Sequence, residues 1–556
     1  MSTSQSAAGR LEVQVLWSRI ITLVEEQAKA LIFTAFSNIL SEGADLSAGV
    51  FDTQGRMIAQ AVTGTPGHIN VTGVAVKNFL KRYPPGSLSP GDVLISNDPY
   101  GISGHVLDIT VVTPVFDSNG QVLAYVASIC HAVDMGGLGY TSQASSTYEE
   151  GLYVPYLKLY VGGTMNPDIA AIIEANVRSP IQVMGDLRAQ AAANSVAVQG
   201  ILDVMEEFGL SEIDSFGGEV MARTESAMRA AIRDVRNGSY RHEIVMDGAE
   251  GDIVLRVRVD VSDEDITIDF DSSSPASHRG LNVCLNYTVA YAIFAVKAAL
   301  APDVPNNEGS FQPVHVHAPE GCIVHAVHPQ PTQARHVVGQ VVAEVVLGAL
   351  AEVIPEQVIT ESAAPLWILN ASGQTKDDTP FSFTFFTSGG MGASADGDGL
   401  HATMFPSGAR GTPVEIVEVS SPVMFHQKEL RADSGGPGRH RGGCGQEIRF
   451  GVTTGRSWRL PTMYGHISYP AAGLAGGLPG ARGIARRNGS EPLDPMGSYS
   501  MEPDDVVSLS LPGGGGYGPP AERDPAAIED DVRNGYVSED AARKDYGPSG
   551  EGGTVR

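Results

Sequence analysis

VLISNDPYGISGHVLDITVVTPVFDSNGQVLAYVASICHAVDM, residues 93–135, is the stretch on which the reading of the chain turns. VLIS, DITVVTPVF and QVLAYVASIC are apolar, β-branched runs, so a sheet core is expected over 93–134. The turn at Asp117–Gly120 joins the last two runs as antiparallel neighbours, which brings the end of the second strand back beside the start of the first. His105 and Asp108 stand at that start and His131 at that end, so two imidazoles and a carboxylate would meet. Such donors, at about 2.0–2.2 Å from an ion, suit zinc, manganese or iron, and three protein ligands with one open position is the catalytic arrangement. Asp45, which opens an earlier hairpin, is the candidate fourth ligand. Asp and His before strands also cap turns, and spacing does not choose between the two. Asp134 reads either as an acceptor for an imidazole N–H or as a cap for the turn at Gly136 and Gly137, and His68, in PGHIN, as a site residue or a turn residue.

Outward from this stretch, residues 10–41 carry Leu11, Val15, Ile20, Ile21, Val24, Ala28 and Leu31 at helical spacing, which predicts an amphipathic helix with room for one break. DLSAGVFDTQGRMIAQAV, residues 45–62, reads as strand, turn and strand. Helices are expected over 71–83, 166–178, 183–208 and 216–236. DIVLRVRVDVSDEDITIDFD, residues 252–271, alternates with period two, the pattern of a half-buried antiparallel hairpin. After a mixed stretch at 280–354, residues 365–515 become rich in Gly, Ser and Thr with short apolar runs, so a turn-rich β section is expected. The fold class is therefore mixed α/β (α+β). Its expected organisation is an N-terminal helix (1–44), an α/β metal-site region with helices (45–237), an α/β region beginning with the hairpin (238–364) and a β-rich, glycine-rich C-terminal region (365–556).

With 556 residues the chain exceeds the size at which one core stops growing, so several structural units are expected. Its 37 basic against 64 acidic residues give a net charge of −27, which disfavours nucleic acid and membrane surfaces as partners. Four widely spaced cysteines with no CxxC pair write neither a zinc knuckle nor a disulfide framework and fit a cytoplasmic setting. The opening MSTSQSAAGRLEVQVLW has no basic segment followed by an apolar run, and no window holds eighteen apolar residues, so export and membrane spanning are both disfavoured.

Three glycine-rich stretches invite a phosphate reading: SGGMGASADGDG (388–399), DSGGPGRHRGG (433–443) and PGGGGYG (512–518). None has the GxxxxGK[ST] order of a P-loop, so turn glycines are expected. Arg439 and Arg441 in the second would bind either an anionic ligand or the chain's own acidic groups. A serine hydrolase lacks its GxSxG elbow here. Cys130, beside His131, reads as a thiol nucleophile or as a small buried strand-end residue.

EEQAKALIFTAFSNILSEGADLS (25–47), ISNDPYGISGHVLDITVVTPVF (95–116), HAVDMGG and EEGLYVP (131–155), GDLRAQ (185–190), NNEGSFQPVHVHAPEG (306–321), PVEIVE (413–418), DSGGPGRHRGGCG (433–445) and PGGGGYGPPAERDP (512–525) together resemble the hydantoinase B family. That family contains the B subunits of ATP-dependent N-methylhydantoinases, 5-oxoprolinases and caprolactamase, with related subunits of acetone and acetophenone carboxylases. The resemblance places the family's metal ligands on Asp45, His105, Asp108 and His131, with zinc or manganese as the fitting ions. It implies an ATP-binding, sugar-kinase-like A subunit as partner in an (αβ)2 or larger hetero-oligomer, with a small cyclic amide as substrate. Asp134, Glu150 and His68 are the candidates for orienting or proton-transfer groups. The implied activity is ring opening of a hydantoin, oxoproline or lactam; a carboxylase subunit and a non-catalytic scaffold are the alternatives. The family usually reads NDPYxGGTHLPD, and here Ile102, Ser103, Gly104 and Leu107 depart from it, so substrate differences are expected at Ile-Ser-Gly.

Overall fold

A computed structural model of the chain describes residues 7–547. The expected long helix is α1 (Ala7–Thr34), which buries Leu16, Trp17, Ile20, Leu23, Val24, Ala28 and Leu31. Val15 is exposed, because the buried stripe at 100° per residue runs through Leu16 and Ile20 instead. The helix breaks at residues 35–37, where the backbone N–H groups of Phe36 and Ser37 donate to the Asp186 carboxylate at 2.7 and 3.2 Å. Residues 1–6 of the expected N-terminal unit (1–44) and 548–556 of the expected C-terminal region (365–556) lie outside the described residues.

β1 (Leu46–Phe51), β2 (Met57–Gln60), β3 (Val93–Ser96), β4 (Asp108–Phe116), β5 (Val122–His131), β6 (Leu157–Val161) and β7 (Thr164–Met165) form one sheet. Its order is β2-β1-β5-β4-β3-β6-β7, with every neighbouring pair antiparallel. β4 and β5 are buried along almost their whole length because both faces are covered. Ile109, Val111, Val126 and Cys130 join the core under α1 and α4 (Pro180–Glu207). Val112, Tyr125, Ala127 and Ile129 pack with Phe79 of α2 (Thr72–Arg82) on the other. Two-sided burial explains why these strands read as apolar runs rather than as an alternation. Helices α3 (Pro167–Asn176) and α5 (Asp214–Arg233) flank α4 in sequence.

The period-two stretch forms β9 (Ile253–Ser262) and β10 (Asp265–Asp269), between β8 (Gly238–Met246) and a parallel β11 (Val314–His317). α6 (Leu285–Leu300) and α7 (Val341–Leu350) pack together over this second sheet. One apolar core runs from Leu16 to Met496, with side chains on either side of residues 237 and 364. The C-terminal section holds two further sheets. β12 (Trp367–Gln374), β13 (Pro380–Thr387), β16 (Trp458–Pro461) and β19 (Ser498–Met501) make one; β14 (Val423–Leu430), β15 (Gln446–Val452), β17 (Ile484–Arg487), β18 (Glu491–Pro492) and β20 (Val507–Ser510) make the other. A core of its own, with Trp367, Phe450, Trp458 and Leu509, joins them.

The three glycine-rich stretches lie against one another rather than around a phosphate. Gly390 N donates to Pro512 O, Gly436 N to Gly514 O, Gly443 N to Met391 O and Gly514 N to Gly443 O. A Cβ on Gly390 would lie 1.8 Å from Gly443 O, and one on Gly513 1.8 Å from Ser434 O. The glycines are there for backbone-to-backbone approach, and the amides a phosphate would need are spent. Among the described residues no helix is long and apolar enough to cross a membrane.

Candidate metal centre

Three neighbouring strands end together at the site. Asp108 and His131 are register partners across β4 and β5. Asp45 immediately precedes β1, and its carbonyl accepts the His131 N–H at 3.2 Å. His105 follows from the turn three residues before Asp108, and His68 from a helical turn, Pro66–Ile69, beyond β2. The resulting side-chain cluster is buried throughout, with Asp45 its most open member at 9% exposure.

Asp108 is the hub. Its Oδ1 faces His105 Nε2 at 2.7 Å and His131 Nδ1 at 3.1 Å; its Oδ2 faces His68 Nε2 at 2.9 Å and the Arg335 guanidinium. Donor atoms of His105, Asp108 and His131 all fall within 4.8 Å of one another. Asp45 reaches the cluster from its edge, 3.4 Å from His68 Nδ1 and 3.8 Å from His131 Nδ1.

Burial opposes ionisation of Asp108, but His105, His68 and Arg335 outweigh it and hold its carboxyl well below the usual range. Burial likewise opposes a charge on His68, and the carboxylates of Asp108 and Asp45 overcome it, so the His68 pKa rises. At His105 burial wins, reinforced by Arg335, and the imidazole falls to about 3. In its neutral form His105 carries one N–H for two acceptors: Gln333 O lies 3.1 Å from Nδ1 while Asp108 Oδ1 lies 2.7 Å from Nε2. Either neutral tautomer leaves one pair of bare acceptors face to face, a buried mismatch that a cation at Nε2 removes. With Nδ1–H on the carbonyl, Nε2 offers its lone pair beside a carboxylate oxygen, the donor set and outer support that a divalent ion takes. The residues present fit a metal ion.

Asp45, His68, His131, Tyr140, Arg335 and His336 line a cavity of ≈ 30 Å³, room for about two waters. A cleft of ≈ 770 Å³ adjoins it, sharing Ser407 and Ala409 and bounded by Ala44, Pro66 and Ile69 beside the site residues. Lys297 and Arg410 line this cleft and, among the described residues, no acidic side chain does.

The other expected residues are placed differently. The Asp134 carboxylate accepts N–H groups from Gly136 and from the backbone and guanidinium of Arg178. It caps its own turn, and no imidazole reaches it because Arg178 fills that position. Glu150 accepts the N–H groups of Thr332 and Gln333, and Gln333 O in turn faces His105. Burial pushes the Glu150 carboxyl up to about 7. Ile102 packs into the core with Phe79, and Ser103 O accepts from Arg335 Nε at 2.6 Å, so Ile-Ser-Gly faces the protein interior and not the cavity. Gly104 has φ +99°, and a Cβ there would lie 2.5 Å from Arg335 Cδ. The Cys130 thiol is buried and pushed well up by desolvation, which leaves it inert.

Three residues at the site had no sequence signal. Arg335 stacks on Tyr287 at 4.3 Å while it binds Asp108. Tyr140 packs 5.5 Å from the His131 ring and its hydroxyl meets His336 Nδ1 at 3.0 Å. Arg335 and His336 come from a segment far along the chain and Tyr140 from the loop that follows β5, and no spacing links any of them to the strands.

The profile of the hydantoinase B/oxoprolinase family matches residues 10–520. This chain belongs to that family. Its relatives include the B component of a putative D-/L-hydantoinase of Pseudomonas sp. (strain NS671), 27% identical over 97% of this chain and 94% of that one. The crystal structure of an ATP-dependent caprolactamase from Pseudomonas jessenii superposes with a TM-score of 0.89 at 25% identity, covering 99% of this chain and 97% of that one. A nucleotide-free acetone carboxylase shares the fold, with a TM-score of 0.86 at 20% identity over 98% of this chain and 80% of that one.

Proposed function

We propose that this chain is the metal-binding subunit of an ATP-dependent cyclic amide hydrolase, opening a hydantoin, 5-oxoproline or lactam ring with an ATP-binding A-type partner in an (αβ)2 or larger assembly. The observation that carries the reading is the mismatch of acceptors at His105 and Asp108, next to His131 and Asp45, which line a water-sized cavity. An unstrained amide resists attack because its resonance must be lost; phosphorylation of its oxygen on the partner removes that resonance, so that addition of water breaks the bond to the ring nitrogen and leaves an acyl phosphate, which a second water hydrolyses to the acid and phosphate. Asp45, His105, Asp108 and His131 would hold zinc or manganese, and the chemistry such an ion would supply there is a water of lowered pKa.

The chain's own groups do the rest. The cavity is too small for a ring, so the ring docks in the adjoining cleft and only the reacting atom enters. His68, between two carboxylates and with Nδ1 free of any hydrogen-bond partner, holds a proton at that atom for the leaving nitrogen. Glu150 orients His105 through the 332–333 backbone, and Asp134 with Arg178 fixes the loop behind His131.

A carboxylase component is the second reading, supported by the shared fold alone. The test is co-purification with the A-type partner, metal analysis, and ATP hydrolysis with lactams and hydantoins, with and without bicarbonate. ATP-dependent ring opening is expected; ketone-dependent fixation of bicarbonate would overturn it in favour of the second reading. His105→Ala and His131→Ala should lose metal and ring opening together. Activity retained in metal-free variants that still assemble would reduce the site to a scaffold.

A further inference from the structure

On the far side of Tyr140 from the metal centre lies a second pocket of ≈ 210 Å³. Tyr140 lines both spaces, with its ring against His131 and His105. The pocket's floor is one face of the β13-β12-β16-β19 sheet. Ser372 pairs with Ser382 on β13 and with Arg459 on β16, so two hydroxyls and a guanidinium stand in one cross-strand row. Directly opposite residues have Cβ atoms about 4.5–5.5 Å apart, close enough for one small group to touch all three. Asn370, Thr141, Ser498 and Arg178 complete the polar lining.

The donors there exceed the acceptors. Among the described residues neither the Ser372 nor the Ser382 hydroxyl has a hydrogen-bond partner, and Arg459 meets only Ser498 Oγ, at 3.3 Å. Arg178 is balanced by Asp134, so Arg459 supplies the unmatched positive charge. No aspartate or glutamate among the described residues lines the pocket, in a chain whose net charge is −27. A carboxylate-free pocket, open to solvent at Arg459 and Ser498, with a guanidinium bonded only to a serine and with paired hydroxyls, is complementary to a tetrahedral or planar oxyanion.

We propose that this pocket binds a small oxyanion, phosphoryl or carboxylate, at the row Ser382–Ser372–Arg459, separated from the metal centre by the Tyr140 ring. The site stands on its own geometry; only its use in turnover rests on the proposed ring opening. Titration calorimetry of the full chain with inorganic phosphate tests it without requiring activity. Saturable 1:1 binding is expected, weakened about tenfold by Arg459→Gln and also reduced by Ser372→Ala, with Arg486→Gln on another sheet unchanged. Absence of saturable phosphate binding, or equal affinity in Arg459→Gln, would overturn the proposal. Competition then separates the sources, since both outcomes need the site: displacement of phosphate by 5-oxoproline but not by 2-pyrrolidone identifies a substrate carboxylate. Displacement by neither identifies the phosphoryl group. Should the chain bind phosphate in this way while ring opening fails, the oxyanion site stands and the proposed function falls.

Discussion

Two charge clusters in this molecule, one buried and one buried apart from Asp398, look alike in composition and differ in balance. In the C-terminal section Arg441 binds Asp531 at 3.1 and 3.2 Å, while Arg523 reaches Asp398 at 2.6 and 2.7 Å and Asp531 at 2.6 Å. Two guanidiniums meet two carboxylates and acceptors face donors. At the candidate metal centre two carboxylates and three imidazoles surround one guanidinium, and a neutral His105 with Asp108 leaves acceptors facing acceptors. A balanced network closes a fold, whereas a surplus of acceptors asks for a cation from outside. DSGGPGRHRGG shows the same distinction locally: Arg441 is spent on the chain's own acids, one of the two readings its sequence allowed, and Arg439 rests near Glu522 at 3.8 Å.

The largest expected effect is at the unbalanced cluster. Asp108→Asn should remove bound metal and ring opening altogether, read by metal analysis of the purified chain. It should also lower stability by about 3–5 kcal/mol, because Arg335 loses its carboxylate. Retained stoichiometric metal would break the contrast between the clusters. Arg441→Met should cost a similar or slightly smaller amount, about 3 kcal/mol in denaturant unfolding, yet leave metal per folded chain unchanged. Loss of metal there would show that the two clusters are coupled.

Glu150 sharpens the comparison through pH. Its folded carboxyl sits at about 7 against an ordinary 4.5, so between those values the folded chain keeps a proton that the unfolded chain has released. Stability from this group is therefore present at low pH and falls as pH rises through that window, by up to about 3 kcal/mol. Burial is the first cause, opposed by the N–H groups of Gln333 and Thr332 and by Arg335. Glu150→Gln keeps an oxygen for both N–H groups and should flatten the profile, making the variant the more stable protein at pH 8. The smallest effect is expected at Gly104→Ala, about 1–3 kcal/mol, from a positive φ and a Cβ pressed on Arg335. Its Tm should fall with a parallel loss of metal affinity if Arg335 steadies Asp108.

How far the site can be read from sequence follows its chain distances. The meeting of His105, Asp108 and His131 needs only a hairpin register and a three-residue offset, both written in 105–131. Asp45 joins because β1 pairs with β5 at Cys130, a pairing the apolar pattern of 46–51 permits but does not name. Arg335, Tyr140 and the 332–333 backbone behind Glu150 arrive from segments with no periodicity linking them to the strands. The glycine stretches were legible as non-P-loops, but nothing in any one of them says that its neighbours are the other two.

By itself the sequence determined the long helices, the apolar strands of 93–134 and the hairpin of 252–271, the absence of a P-loop and, through ordered motifs from 25 to 525, the family. These depend on local pattern, where side-chain period and backbone geometry suffice. Only the tertiary structure decided that His105 and Asp108 confront each other as bare acceptors, that Asp134 serves Arg178, that Ile-Ser-Gly faces inward, and that Arg459 stands unmatched beside two serines. Charge balance in a buried cluster is a sum over segments hundreds of residues apart, and it exists only once packing has brought them together and removed the water.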